Sequence, residues 1–202
     1  MSKRPGKNKA NLEETHRNFL SIAREEFAEF GYAEASTSRI VQKSGMARGS
    51  LYYHFGDKNG LFKAVYEEIM NEGLESITER MEGKQDNWDA LKAGIQAFLD
   101  LCMDPMYRKI TLMESQAAMT FKERYHVHEK TLLGKLKQLL PSLLQNGYFP
   151  GHTQDTISVF LFGMLAETGR TLDTVENVEQ TRKLFGRAIE STLKVMEPQT
   201  QI

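Results

Sequence analysis

The chain has 202 residues, which is enough for one large domain or for a small domain joined to a larger one, with a substantial hydrophobic core. Its one cysteine, Cys102, cannot close an internal disulfide, and no Cys/His cluster has zinc-binding spacing. No apolar run is long enough to span a membrane or to complete a signal peptide. These features exclude a disulfide scaffold, a zinc finger and a membrane protein, and they favour the cytoplasm.

The net charge of −1 argues by itself against a nucleic-acid-binding protein, but the charge is distributed unevenly. Residues 1–60 contain ten Lys or Arg and seven Asp or Glu, so this part carries +3 and the remainder −4. Four of the ten basic residues lie in residues 1–10, which lack acids and apolar periodicity and are therefore expected to form a disordered basic tail. Such a tail could contact phosphates or could serve only solubility.

Apolar residues recur at intervals of three and four and strand signals are nearly absent, so the expected fold class is all-α. Gly31 is expected to end the first helix, and Ser36 and Asp57 to cap the second and fourth. Pro141 should kink or end the seventh helix near Leu140. The pattern predicts about nine helices, at 11–30, 37–44, 48–54, 58–81, 87–102, 105–119, 122–145, 152–171 and 176–196.

Residues 11–56 are expected to form a three-helix DNA-binding domain, because the second and third helices are short and a glycine turn separates them, as in a helix-turn-helix. Helical periodicity places Ala47, Leu51 and Phe55 on one face of the third helix, directed toward Ile40 and Val41. Hydroxyl groups suit phosphate oxygens, arginine suits base edges and a tyrosine ring suits a thymine methyl. The predicted exposed residues of these two helices include Thr37, Ser38, Arg48, Gly49, Ser50, Tyr52, Tyr53 and His54.

Four motifs follow one another here: Phe27-Ala-Glu-Phe-Gly31-Tyr32, Thr37-Ser-Arg-Ile40, Gly45-Met-Ala-Arg-Gly49-Ser50-Leu51-Tyr52-Tyr53-His54-Phe55 and Asp57-Lys58-Asn-Gly-Leu61. With this series, residues 12–66 resemble the DNA-binding domain of the tetracycline-repressor (TetR) family. The resemblance implies that Thr37, Tyr52 and Lys58 contact phosphates, and that the major groove is faced by Arg48, Gly49, Ser50, Tyr53 and His54.

Two points at this site remain open. Tyr52 and His54 could be partly buried supports instead of DNA contacts. Gly60 stands where the family commonly has an acid, and it is expected to weaken the first turn of the fourth helix by roughly 1 kcal/mol.

Residues 57–197 are expected to form a larger helical domain for effector binding and dimerisation. The last two predicted helices carry wide apolar stripes, which can serve an internal core and a partner together. The resemblance implies a homodimer through these two helices, a near-palindromic double-stranded DNA operator and a small-molecule effector that releases the repressor from it.

Between residues 81 and 167, methionines and aromatic residues are mixed with a few polar ones, which is typical of a small-molecule pocket. The carboxylates of Glu114 and Glu167 could pair with a cationic effector, or they could lie at the surface or an interface. The expected ligand-binding residues are Trp88, Tyr107, Met113, Glu114, Tyr125, Phe160, Met164 and Glu167.

The sequence predicts no enzyme, cofactor or metal site, because it has no Gly-rich phosphate loop and no nucleophile elbow. His126 and His128 stand two positions apart on a predicted helix, so they point in different directions and cannot share one ion. Two alternatives to a ligand-released repressor stay open: a DNA-binding regulator whose larger domain binds a protein partner, as an activator or nucleoid-associated factor, and a helical binding protein that does not bind DNA. A sealed core without a cavity would favour the protein partner.

Overall fold

The computed structural model describes the backbone of residues 5–198 and the side chains of residues 11–198. Within that range the chain forms eleven α-helices and one π-helical segment and contains no strand, which confirms the all-α fold class. Two of the nine predicted helices are divided. The elements are α1 (Pro5–Glu34), α2 (Thr37–Ser44), α3 (Arg48–Phe55), α4 (Lys58–Met81), α5 (Asn87–Leu101), α6 (Pro105–Tyr107), π1 (Arg108–Glu114), α7 (Ser115–Ala118), α8 (Phe121–Lys130), α9 (Leu132–Gln145), α10 (Gln154–Thr171) and α11 (Val178–Val195).

Helix α1 is longer at both ends than the apolar pattern predicts. Residues 5–10 are helical and not the disordered tail expected from their composition, while residues 1–4 lie outside the described residues. Pro5 is compatible with a first turn because the N–H at that position has no intrahelical partner. At the other end Gly31 leaves the helical conformation as expected, with φ 72° and ψ 173°, and residues 32–34 add a further turn.

Helices α2 and α3 pack on α1 through the apolar face that periodicity predicts. Ile40 and Leu51 are fully buried. Phe55 is half-buried, with its ring centroid 4.8 Å from that of His16. Ala47 is exposed, contrary to the prediction, because it is the N-cap of α3 and its extended backbone precedes the helical periodicity.

The turn from α3 into α4 is held by Asp57, whose carboxylate accepts the N–H of Gly60 at 2.7 Å. A Cβ at Gly60 would lie 1.9 Å from the carbonyl oxygen of Phe55. The glycine therefore costs helix propensity, as expected, but the close approach of α3 to α4 requires it.

The predicted helix at 105–119 contains a π-helical segment, π1, between the short helices α6 and α7. A π-helical turn is wider than an α-helical one and changes which residues share a face. Hydroxyl groups in this region bond back to the backbone: Thr111 donates to the carbonyl of Tyr107 at 2.6 Å, and Ser115 donates to that of Thr111 at 2.7 Å.

The predicted helix at 122–145 breaks at Thr131 and not at Pro141. Thr131 has φ −120° and ψ −117°, and its buried side chain joins α8 to α9. Pro141 lies inside α9, where it cannot donate to the carbonyl of Lys137. Gln154 supplies the missing donor, since its side-chain amide bonds that carbonyl at 3.0 Å, and so α9 continues to Gln145.

One continuous cluster of buried apolar residues runs through both parts of the molecule. Helix α4 packs along α5, α9 packs along α10, and α1 contacts π1 as well as α2 and α4. Helices α1 to α3 therefore pack directly on the elements that follow them.

Candidate nucleic-acid interface and ligand cavity

A buried carboxylate attaches α2 to α1. Glu26 is 0% exposed and accepts hydrogen bonds from the backbone N–H of Ser36 at 2.9 Å and from Nε of Arg39 at 2.6 Å. Burial alone would raise the pKa of Glu26, but these hydrogen bonds and the positive charges of Arg39 and Lys43 outweigh it, so the pKa lies below its ordinary value. The sequence did not reveal this residue because its partners belong to the next helix.

The face of α3 opposite Leu51 is open to solvent. Tyr53 is 76% exposed and Tyr52 39%, while Arg48 and Gly49 are exposed and Ser50 is half-buried. At the start of α2, Thr37 hydrogen-bonds Tyr52, and the neighbouring Ser38 is exposed. We call this set the recognition face: Thr37, Ser38, Arg48, Gly49, Ser50, Tyr52 and Tyr53.

One hydrogen bond of the recognition face lies within α3, and another joins α3 to α2. Nη2 of Arg48 donates to the hydroxyl of Tyr52 at 3.2 Å, and its guanidinium lies 5.6 Å from the ring centroid of Tyr52. Hydrogen bonds with Arg48 and, to a smaller extent, Thr37 lower the pKa of Tyr52. The arrangement gathers hydroxyl and guanidinium donors beside the N-terminus of α2, which is a favourable place for an anion.

Two residues that the sequence assigned to DNA contact are engaged within the protein. His54 is half-buried, and its ring packs edge-on against that of His16 in α1, with centroids 5.7 Å apart. The ammonium of Lys58 donates to the carbonyls of Ala33 at 2.9 Å and Ala35 at 3.0 Å. Lys58 therefore ties α4 to the end of α1 with two of its three N–H donors.

The larger domain contains a cavity of about 580 Å³ that is bordered by every element from α4 to α10, π1 included. This volume lies within the range of about 300–1,000 Å³ that small-molecule sites occupy. Apolar side chains such as Met70, Ile77 and Phe98 form much of the wall.

Three of the eight expected ligand-binding residues line this cavity: Tyr107, Tyr125 and Glu167. Trp88 does not line it. The indole of Trp88 is buried near the end of α11, where Nε1 donates to Glu197 at 3.0 Å and the ring stacks on Tyr148 with centroids 4.5 Å apart. Phe160 is 53% exposed, and the half-buried Met164 packs on the core outside the cavity.

Met113 and Glu114 also lie outside the cavity wall. Met113 is 37% exposed, and Oε2 of Glu114 accepts the backbone N–H of Tyr32 at 2.7 Å. The physical reason is the wide turn of π1, which directs Thr111 and Leu112 into the cavity and turns the next two side chains away.

A neutral pair of polar side chains lies in the cavity wall. The hydroxyl of Tyr66 and Nε2 of His128 are 2.7 Å apart. Burial, helped by the charge of Arg124, lowers the pKa of His128 to about 4, and burial raises the pKa of Tyr66. Both groups are therefore uncharged at pH 7. The sequence did not indicate His128 or Arg124, because the many polar residues of α8 suggest a solvent face.

The elements that line the cavity also bond to α1. In π1, Lys109 donates to the carbonyl of Glu29 at 3.0 Å, close to the contact between Glu114 and Tyr32. In α4, the amide of Asn59 donates to the hydroxyl of Tyr32 in α1 at 3.4 Å and to the carbonyl of Ala118 in α7 at 2.5 Å. Each of these two elements thus has one side on the cavity and another on the junction between the two regions.

Among the described side chains, no group of three His, Cys, Asp or Glu could hold a metal ion. His126 is exposed while His128 faces the cavity, so the two rings lie apart. None of the helices in the described part of the chain is long and apolar enough to cross a membrane.

Two family models match this chain. The model described as bacterial regulatory proteins of the tetR family matches residues 19–65, and the tetracyclin repressor-like C-terminal domain matches residues 88–196. The second match alone spans more than half of the chain. The protein therefore belongs to the tetracycline-repressor family of helix-turn-helix transcriptional regulators, as its DNA-binding motifs predicted.

Relatives and solved structures agree with this assignment. The HTH-type transcriptional repressor AcnR of Corynebacterium glutamicum is 25% identical over 177 residues, covering 83% of this chain and 94% of AcnR. A TetR-family regulator from Pectobacterium atrosepticum is 26% identical with a TM-score of 0.78, covering 95% of this chain and 98% of that one. FadR from Bacillus subtilis, crystallised with stearoyl-CoA, has a TM-score of 0.76 at 22% identity. The match covers 88% of this chain and 97% of the FadR chain, and at this identity it shows only that the fold is similar.

Proposed function

We propose that this protein is a repressor that binds a near-palindromic operator as a homodimer and leaves it when a small molecule occupies the cavity. The observation that carries this proposal is the position of π1, which contributes Thr111 and Leu112 to the cavity and bonds Tyr32 through Glu114. A ligand then needs only a higher affinity for a conformer in which the two recognition faces of the dimer are wrongly spaced.

The exposed side chains of the recognition face support the DNA-binding role. The large exposure of Tyr53 leaves its ring available for a base methyl, and Arg48 can reach base edges. Lys58 keeps one N–H donor for a phosphate near the N-terminus of α4. We assign phosphate contacts to Thr37, Ser38, Tyr52 and Lys58, and the major groove to Arg48, Gly49, Ser50 and Tyr53.

The apolar surface of the last two helices supports a homodimer. Helices α10 and α11 both pack on α5 and leave large apolar side chains exposed: Val159 at 60%, Phe160 at 53%, Leu184 at 49% and Val195 at 75%. Apolar patches of this kind are commonly covered by a partner, and a two-fold axis would pair the same patch of two copies. The Phe160→Glu variant should therefore run as a monomer in light scattering and lose operator affinity.

The cavity favours a small molecule over a protein partner for the larger domain. A protein partner needs an exposed surface and no internal space, whereas a volume of about 580 Å³ bordered by tyrosines suits a compact ligand.

The test combines two measurements on the same dimer. Thermal shift identifies compounds that stabilise the protein, and fluorescence anisotropy measures its affinity for the DNA upstream of its own gene. Compounds that raise Tm should lower the DNA affinity. If every compound that binds leaves the DNA affinity unchanged, ligand-induced release is wrong and the DNA-binding assignment stands separately.

A further inference from the structure

The charged side chains in the cavity wall are predominantly cationic. They are Arg124, Lys135, Glu167 and Arg170. The only carboxylate of this set, Glu167, is 2.5 Å from the guanidinium of Arg170, so these two charges offset each other. Arg124 and Lys135 form no ion pair with any carboxylate of the described residues.

Arg124 is held in a fixed orientation without being neutralised. Its Nη1 donates to the carbonyls of Ser115 at 3.3 Å and Met119 at 2.5 Å. A guanidinium has five N–H donors in a planar fork, so the remaining donors are available in a geometry that suits an oxyanion. The half-buried position of Arg124 strengthens such a contact, because water screens it less than at a surface.

The neighbouring polar groups add no negative charge. Tyr66 and His128 bond each other and are neutral at pH 7, and Phe162 packs on the imidazole with ring centroids 4.7 Å apart. The two acids that the sequence offered for a cationic ligand are both occupied elsewhere, since Glu114 bonds Tyr32 and Glu167 pairs with Arg170.

We infer that the cavity takes an amphipathic anion, with an apolar body against the Met70 and Phe98 side of the wall and a compact oxyanion head held by Arg124. The head is a carboxylate or a phosphate, which share this chemistry. The inference deepens the proposed function, since it specifies the class of effector for the same cavity.

The experiment is calorimetric titration of the full-length dimer, without DNA, using four probes below their micelle concentrations: dodecanoate, dodecyl phosphate, 1-dodecanol and dodecyltrimethylammonium. At least one anion should bind tenfold or more tightly than the alcohol, because a charge-assisted hydrogen bond to arginine adds to the same apolar contact. The cation should bind more weakly than the alcohol. The two anions distinguish a carboxylate head from a phosphate head.

The variants separate the charge of Arg124 from its structural bonds. Arg124→Gln should bring the anion to within about threefold of the alcohol, whose own affinity stays unchanged, and Arg124→Lys should restore part of the difference. Lys122→Gln, an exposed position on the same helix, is the matched control and should behave as wild type. A purely structural Arg124 would weaken both probes equally.

The inference is overturned if the alcohol or the cation binds wild type as tightly as both anions, or if Arg124→Gln leaves the preference for the anion intact. These outcomes are distinct from failure of the proposed function. An anion that binds through Arg124 without changing DNA affinity would refute ligand-induced release and would leave the ligand class standing.

Discussion

The recognition face and the cavity are built from the chain in different ways. The recognition face uses side chains from two helices that follow each other directly in the chain, between Thr37 and Tyr53. The cavity uses eight elements, α4 to α10 with π1 included, between Tyr66 and Arg170. A substitution in the recognition face should therefore act locally. The effect of a substitution in the cavity wall depends instead on how helices distant in sequence are rotated against each other.

The elements that line the cavity meet α1, on which the recognition face rests, at a few polar contacts. Glu114 accepts the N–H of Tyr32, Asn59 donates to the hydroxyl of Tyr32, and Lys109 donates to the carbonyl of Glu29. A Cβ at Gly31 would lie 2.8 Å from Oε1 of Glu114, so the backbone approaches closely here. We propose this junction as the physical link through which the cavity affects the recognition face.

The largest expected effect lies on the recognition face. The double variant Arg48→Ala/Tyr53→Ala should lose about a hundredfold in operator affinity, or about 3 kcal/mol, while binding cavity ligands normally. The matched control is Lys84→Ala/Lys122→Ala, which removes two exposed basic residues that lie outside both the recognition face and the cavity wall. Anisotropy titrations measure both. Near-wild-type affinity in the first double variant would show that this face is not the DNA contact.

The second-largest effect is expected at Glu26, which attaches α2 to α1 beneath the recognition face. Glu26→Gln should lower the free energy of unfolding by about 2 kcal/mol at pH 7, because the buried charge that holds Ser36 and Arg39 is lost. The exposed Glu25→Gln is the control and should change stability little. Urea unfolding at several pH values measures both variants.

The pH dependence of this effect follows from the lowered pKa of Glu26. Its stabilisation is fully present above the carboxyl's pKa in the unfolded chain and is lost as pH falls through the lower folded value. The stability difference between wild type and Glu26→Gln should therefore shrink in acid. A difference that is constant down to acid pH would rule out the buried carboxylate as its source.

The smallest effect is expected at the junction. Glu114→Ala removes the acceptor of the Tyr32 N–H, so that amide should exchange hydrogen faster and the ligand-induced change in operator affinity should fall by about 1 kcal/mol. The neighbouring Met113→Ala, at an exposed position without such a bond, is the control. Equal coupling in the two variants would place the link elsewhere, with α4 as the next element to test.

Much of the fold could be predicted from sequence because its signals are local. Ser36 and Asp57 cap α2 and α4 as expected, since a cap needs only a side-chain oxygen three residues before a backbone N–H. The boundaries of α2 and the end of α4 at Met81 also agree with the boundaries predicted from sequence. The exposed Tyr53 beside the buried Leu51 follows from helical periodicity alone.

The missed features depend on partners that are distant in sequence. Pro141 did not end α9 because the side chain of Gln154 bonds the carbonyl that the proline leaves free. Glu26 looks like a surface residue of α1 until Arg39 is placed beside it. Lys58 matches a phosphate-contact motif, yet the end of α1 supplies two carbonyls within its reach.

The sequence alone determined the helical class, the DNA-binding motif and the face it presents, because caps, glycine turns and the helical repeat act within a few residues. Only the tertiary structure decided which side chains form the cavity. The wide turn of π1 rotates Glu114 toward Tyr32, and the break at Thr131 separates α8, which brings Arg124 and His128 to the wall, from α9. Rotations of this kind depend on packing between helices, which a local pattern does not contain.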